Sequence, residues 1–208
     1  MTQAISGACL RRLPRYMTVL ARLVEEGQGY VTSAELARQL KLDETLVRKD
    51  LSVTGFTGKP RMGFDVAALL HHLEAYLGLQ QVKEAFIIGA GRLGQALAGY
   101  PGFEKYHLRI VAMFDNSPEK IGRITNGLEI QPLWTAPALA RKMHVQIAIL
   151  TVPPHAAQGV ADLLVDAGMR AFWNFSGYPL SMPSSIVVHN EDLAESLAVI
   201  CHQLAQMA

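Results

Sequence analysis

Apolar residues recur at helical spacing through the first third of the chain. Leu13, Met17, Leu20 and Val24 stand at i, i+4, i+7 and i+11, which predicts one amphipathic helix ending near Gly27. Thr32-Ser33-Ala34-Glu35 has the form of a capping box. In it the Thr32 hydroxyl accepts from the Glu35 amide while the Glu35 carboxylate reaches back to Thr32, so a short helix is expected over Ser33 to Leu40. Asp43 is a second N-cap, and Glu44 suits the positive end of the dipole of the helix that follows. That helix is expected to run to about Thr54 and stop at Gly55, burying Leu46, Val47 and Leu51. Its other face is left with Thr45, Arg48, Lys49 and Ser52. A further stripe of Val66, Leu69, Leu70, Leu73 and Leu77 ends at Gly78.

Two short helices joined by a tight turn, the second with an exposed basic face, read as a helix-turn-helix. The Gly- and Pro-punctuated stretch Phe56 to Phe64 reads as a small β-hairpin. Together they predict a winged helix, with the second helix in the major groove and Lys59 and Arg61 of the wing at phosphates or the minor groove. A plain helical bundle with a solvated charged face is the alternative at this point.

Beyond Gln80-Gln81 the period changes to alternating strand and helix. Val82 to Ile88 is a buried strand, and Gly89-Ala90-Gly91-Arg92-Leu93-Gly94 follows at once. A helical stretch, Gln95 to Tyr100, comes next, then a strand over Arg109 to Phe114 that ends in Asp115, 21 positions beyond Gly94. Strand, GxGxxG, helix and a strand-terminal acid together form the dinucleotide fingerprint. Gly89 allows the tight turn, Gly91 lets backbone approach a pyrophosphate, and Gly94 lets the helix pack on the sheet. The helix N-terminus offers amides to the phosphates. Asp115 is expected to accept from the adenosine ribose hydroxyls, and with no cation next to it at Asn116 the site favours NAD(H) over NADP(H).

Further strands are expected at Leu128 to Gln131, Gln146 to Thr151 and Arg170 to Phe175, with a clear helix over His155 to Ala167. The alternation predicts a parallel sheet with right-handed crossovers. Ligands of such sheets sit beyond the strand carboxyl ends, here at Thr151-Val152-Pro153 and Asn174-Phe175-Ser176. The fold class is therefore α/β. It comprises an N-terminal winged helix-turn-helix over 1–78, a Rossmann-like parallel-sheet domain over 79–188 and a terminal helix over 189–208.

Composition narrows the function. Half the chain is hydrophobic and 18% is charged, as in a globular protein. No apolar run suits a membrane span and no secretory leader is visible, which points to a cytoplasmic chain. Cys9 and Cys201 lack metal-type spacing, and no metal site is expected. The 34 residues after Asn174 are too few for a dehydrogenase's substrate domain, and no histidine sits in a triad-like or metal-like pattern. His155 is the best general-base candidate and reads more simply as a surface residue, so no catalytic residue is assigned. The net charge is +1, divided as +2 over residues 1–77 and −1 over the rest. Bulk charge therefore does not hold nucleic acid here; placed cations at Arg11, Arg12, Arg48, Lys49, Lys59 and Arg61 are expected to do so.

Leu193, Leu197, Ile200, Leu204 and Met207 form a narrow stripe on a helix expected over Asp192 to Met207. It either folds back on its own domain or buries its stripe in a partner subunit. A small NAD-dependent oxidoreductase and a CoA- or nucleotide-binding module without DNA remain alternatives for the whole chain.

The chain resembles the Rex family of redox-sensing transcriptional repressors along nearly its whole length. The likeness rests on Arg12-Leu13 with Tyr16, Ser33 to Ala37, Val47 to Ser52 with Gly55, the glycine motif, Tyr100 to Phe103, Phe114-Asp115, Leu150 to Pro153, Asn174-Phe175 and Asp192 to Ala194. The resemblance implies a homodimer with terminal helices swapped between subunits. Such a dimer binds inverted-repeat operator DNA and releases it when NADH binds. It also implies DNA contacts from Arg12 and Ser33, and places Tyr100 and Asp192 near the nicotinamide as sensors of its charge. The chain departs from the family pattern at Thr18, at Val53-Thr54, in the wing from Gly58 to Phe64, and at Ser176-Gly177.

Overall fold

The computed structural model describes residues 5–207; residues 1–4 and 208, which the expected domain limits include, lie outside the described residues. Two compact units are formed by Met1–Gln81 and Val82–Ala208, and the terminal helix belongs to the second.

The first unit contains α1 (Gly7–Glu25), β1 (Tyr30–Val31), α2 (Ser33–Leu40), α3 (Glu44–Val53), β2 (Phe64–Asp65) and α4 (Val66–Tyr76). Each helix starts where a side-chain oxygen meets its orphan amides. Ser6 Oγ takes Cys9 N–H, Thr32 Oγ1 takes Glu35 N–H, Asp43 Oδ1 takes Thr45 and Leu46 N–H, and Asp65 Oδ1 takes Ala68 N–H. The reciprocal half of the expected capping box is replaced: the Glu35 carboxylate accepts from Gln28 Nε2 at 3.1 and 3.2 Å. The core joins Leu13, Tyr16, Leu20 and Leu23 of α1 to Leu36, Val47, Leu51, Leu69 and Leu73. Val24, expected in the stripe, is exposed, and its neighbour Leu23 is buried instead. Leu46 is only half-buried, and the inward position on that side of α3 goes to Asp50.

The wing differs from a self-paired hairpin. Only Lys59 and Gly63 bridge each other, with Arg61 at the tip in the left-handed region (φ +64°). The returning strand β2 pairs instead with β1, Tyr30 opposite Asp65 and Val31 opposite Phe64. The wing is thus anchored to the segment that leads into α2.

The second unit is a seven-stranded sheet. Its strands are β3 (Lys83–Ile88), β4 (Leu108–Asp115), β5 (Ile124–Thr125), β6 (Leu128–Pro132), β7 (Ile147–Leu150), β8 (Ala171–Asn174) and β9 (Val187–Asn190). The order is β5-β6-β4-β3-β7-β8-β9, parallel throughout except for the antiparallel edge strand β5. Helices α5 (Arg92–Ala98), α6 (Ala136–Met143) and α7 (Pro154–Asp166) make crossovers. Both faces are covered, which is why the strands read as continuous apolar runs. Phe86, Ile88, Phe114 and Leu150 enter one core, and Ala85, Ile87, Met113 and Ile149 the other. Strands β5 and β9 were not expected; each is short and partly exposed, so neither carries an apolar run. Leaving aside β5, the order is that of the doubly wound dinucleotide fold, with its reversal between β3 and β7.

The terminal helix α8 (Glu195–Ala205) starts later than expected, because Asp192 Oδ1 accepts from Ala194 N–H in a turn ahead of it. Its stripe is not buried on its own unit: Leu193, Leu197, Ile200, Leu204 and Met207 are all exposed.

Candidate functional site

The solvent face of α3 holds Thr45, Arg48, Lys49 and Ser52, all exposed as expected. Ser52 Oγ donates to the Lys49 carbonyl. Arg48 is not free. Its Nη2 pairs with Glu44 Oε1, and its Nε donates to Ser33 Oγ at 3.1 Å. Lys59 of the wing donates to Tyr30 Oη at 2.7 Å, while Arg61 is exposed at the tip.

Arg12 is placed differently from a free cation. Its Nε and Nη2 donate to the two oxygens of Asp50 at 2.6 and 2.7 Å, and Tyr16 Oη donates to Asp50 Oδ2 at 2.9 Å. Asp50 is only 2% exposed and Tyr16 is fully buried. Burial by itself raises the Asp50 carboxyl, but the hydrogen bonds and charge of Arg12, with Tyr16, outweigh it and hold the pKa below the ordinary value. Burial, reinforced by Asp50, pushes the adjacent Cys9 thiol up to about 11, so it stays a thiol at neutral pH. Arg12, expected at the DNA, here ties α1 to α3 through Asp50. Neither Asp50 nor this network was visible in the periodicity.

In the second unit the reversal point is formed by Gly89 after β3 and Thr151 after β7. Thr151 Oγ1 donates to the Gly89 carbonyl at 2.7 Å. Gly89 has φ +105°, and a Cβ there would come within 2.8 Å of the Thr151 carbonyl oxygen. A Cβ on Gly94 would overlap the Gly89 carbonyl oxygen, so α5 sits directly against the turn. At Gly91, with φ −77°, a Cβ would meet nothing within 4 Å; of the three motif glycines it alone faces open space. Ala90 is buried, while Arg92 and Leu93 open α5.

A cleft of about 540 Å³ runs along this point. Gly89, Gly91, Asp115, Lys120, Thr151, Val152, Pro153 and His155 are among the residues that line it. Asp115 is nearly buried and already engaged: its Oδ2 accepts from Ala90 N–H (2.7 Å) and Lys120 Nζ (2.9 Å), and its Oδ1 from Ser117 N–H (2.8 Å). Of about four acceptor positions on a carboxylate, one is left for a ligand. Burial raises its pKa, and the bonds from Lys120, Ser117 and Ala90 more than reverse this. Lys120 corrects the reading of local charge, since a cation does stand beside Asp115. It lies in the turn five residues on, where no spacing rule flags it.

A second cleft of about 610 Å³ lies between the loop after β8 and the segment after β9, with Phe175, Ser176, Tyr178 and Asp192 in its lining. Asn174 lines it too, but its amide is fully employed. Nδ2 donates to the Tyr178 carbonyl and Asn190 Oδ1, and Oδ1 accepts from Ser176 N–H and Oγ. It therefore shapes the loop and has no capacity left for a ligand. Tyr100 is exposed and packs edge-on against Phe103, which continues through Trp173 to Phe175 with centroid spacings of 5.2, 5.8 and 4.9 Å. Trp173 Nε1 donates to Glu191 Oε1. No hydrogen bond joins Tyr100 to Asp192 among the described residues.

A winged-helix unit followed by a dinucleotide-fold unit defines a two-module regulator of the ligand-responsive kind. Residues 4–52 match the family model of a putative DNA-binding protein N-terminus, and residues 80–177 that of a CoA binding domain. The redox-sensing transcriptional repressor Rex of Treponema denticola is 38% identical over 191 residues, covering 92% of this chain and 91% of the relative. That of Chloroflexus aggregans is 40% identical, covering 95% and 93%. The chain belongs to the Rex family. Among solved structures, RSP, a Rex-family repressor, in complex with NAD+ and operator DNA superposes with a TM-score of 0.92 at 33% identity, covering 99% of this chain and 94% of that one. RSP in complex with NADH gives 0.89 at 32% identity, covering 99% and 96%.

Proposed function

We propose that this chain is a cytoplasmic, homodimeric repressor that binds an inverted-repeat operator and releases it when NADH binds. The observation that carries the reading is the coexistence in one chain of two features. One is a helix-turn-helix whose Arg48-Lys49 face is exposed; the other is a cleft at the β3/β7 reversal, open at Gly91 and ended by Asp115 and Lys120. The cleft fits a dinucleotide: the Gly89–Gly91 turn would face the pyrophosphate, and Asp115 with Lys120 the adenosine ribose. Thr151, Val152 and Pro153 also line the cleft. The RSP structures with NAD+ and operator DNA, and with NADH, support the same assignment. No described helix is long and apolar enough to cross a membrane, in keeping with the proposed location.

The exposed stripe of α8 is the dimer element in this reading, exchanged between subunits. Oxidised nicotinamide carries a positive ring charge that the reduced ring lacks. Tyr100 and Asp192 are the residues proposed to sense it. A carboxylate about 4 Å from such a charge changes its interaction by about 4 kcal/mol at an effective dielectric of about 20, enough to bias a two-state dimer. NADH would then select a dimer in which the two α3 helices no longer match successive major grooves, which requires a spacing near 34 Å or a multiple.

DNA mobility shift in NAD+ and in NADH tests the switch: release by NADH alone is expected, and equal affinity in both would remove the sensing role while leaving DNA binding. Arg48→Ala is expected to cost about 1–3 kcal/mol of operator affinity and to relax preference at one base pair. A uniform loss over all sequences, with the salt slope reduced by about one, would assign Arg48 to a phosphate instead.

A further inference from the structure

Helix α3 presents to solvent one carboxylate, Glu44, on the face proposed to meet phosphates. An exposed i,i+4 ion pair adds little to folding, and an acid in the first turn gains only modestly from the helix dipole, so stability gives Glu44 a small part of its reason for being there. The geometry around it is specific. Glu44 Oε1 accepts from both Arg48 Nη2 and Ser33 Oγ (2.8 Å), and Ser33 Oγ accepts from Arg48 Nε (3.1 Å), so the three groups close a ring. A guanidinium offers two forks of donors, Nε with Nη2 and Nη1 with Nη2. Ser33 and Glu44 occupy the first, which leaves only the second. Its two parallel N–H groups match paired acceptors on a base edge, such as N7 and O6 of guanine.

We propose that Glu44, with Ser33 as its bridge, is a specificity-determining positioning residue. It holds Arg48 so that only the terminal fork is presented to the groove, and its charge disfavours registers that bring a phosphate to that place. The carboxylate thus gives up affinity for arbitrary DNA to gain discrimination, a repulsive element of the kind specific interfaces use. This inference rests on the reading of α3 as the recognition helix.

The test begins with duplexes selected by the wild-type chain from a random pool, which define the half-site. Binding of Glu44→Ala and Glu44→Gln is then measured on that operator and on a scrambled duplex over a range of salt. In Glu44→Ala the operator-to-scrambled ratio is expected to fall about tenfold, with preference lost at one base pair. Its salt slope on scrambled DNA should steepen by about one, because a charge opposing the phosphates is gone. Glu44→Gln, which keeps an acceptor oxygen, should retain the base preference and show the steeper slope. Unchanged thermal unfolding in both variants separates these effects from loss of fold. If Glu44→Ala keeps the wild-type preference at every position and a ratio within twofold, the proposal is overturned. A wild-type chain that selects no sequence overturns instead the DNA-binding reading on which it rests.

Discussion

Replacing Asp50 by alanine is expected to destabilise the winged-helix unit by about 3 kcal/mol and to remove operator binding with it. The carboxylate is 2% exposed and receives three short hydrogen bonds, two from Arg12 and one from Tyr16. Its removal leaves the Tyr16 hydroxyl buried without a partner, which by itself costs about 1–3 kcal/mol. The Arg12 guanidinium is about 20% exposed and can reach water, which keeps the total near the lower end of the range for broken buried pairs. Because Asp50 lies on α3, between the exposed Lys49 and the core residue Leu51, the same change frees the recognition helix from α1. Acid should reproduce part of the effect. The folded-state pKa lies below the unfolded value of about 3.9. The contribution is therefore complete above that value and is lost as pH falls through the folded one. Asp50→Asn should flatten that acid limb. Both tryptophans, Trp134 and Trp173, lie in the second unit, so fluorescence follows that unit while circular dichroism also senses the helices of the first. A dichroism transition shifted by less than about 1 kcal/mol would show that Asp50 is not the anchor.

Asp50 also shows where sequence reading stops. A carboxylate beside Lys49 in an amphipathic helix reads as solvent-facing; its partners lie 34 and 38 positions away, and no local pattern announces them. Val24 and Leu23 present a similar limit, because adjacent residues at 100° per position both fit the edge of a stripe and only packing chooses between them. The glycine and proline signals of the wing identified a turn, but the strand that β2 would pair with depends on Tyr30-Val31, some thirty residues earlier. The glycine motif, by contrast, is legible where the steric need is local: Gly89 takes φ +105° and Gly94 lies against the Gly89 carbonyl, while at Gly91 the protein itself leaves room for a Cβ. Asn174 marks the difference between position and role: it stands at the carboxyl end of β8 as expected, yet its four hydrogen bonds are all internal. Polar side chains at strand ends advertise a site equally well whether they bind a ligand or shape the loop that does.

A chain carrying Gly94→Val is expected to hold its operator at NADH concentrations that release the wild-type chain. Gly94 is buried where α5 passes the Gly89 turn; a Cβ would overlap the Gly89 carbonyl oxygen and come 2.8 Å from Thr151 Oγ1. That hydroxyl already donates to the same carbonyl, so neither neighbour has room to yield. The added methyl groups must push α5 off the turn or the turn into the cleft. Overpacking of this kind costs about 1–3 kcal/mol, and if it is relieved by moving Gly89 to Gly91, NADH affinity falls by up to about a hundredfold. Gly91→Ala makes the distinction between fold and ligand. Its backbone at φ −77° is ordinary for alanine and its Cβ meets no protein atom, so the second unit should melt as wild type while NADH binding weakens. Calorimetric titration with NADH, beside tryptophan-monitored melting, reads both. Gly94→Val should lose NADH affinity with a lowered melting transition, and Gly91→Ala should lose it without one; in both, DNA binding by the first unit should persist and respond only at correspondingly higher NADH. Were Gly91→Ala to bind NADH within threefold of wild type, the dinucleotide would not lie over this turn. The cleft at the β3/β7 reversal would then need another occupant, and the coupling between the two units another origin.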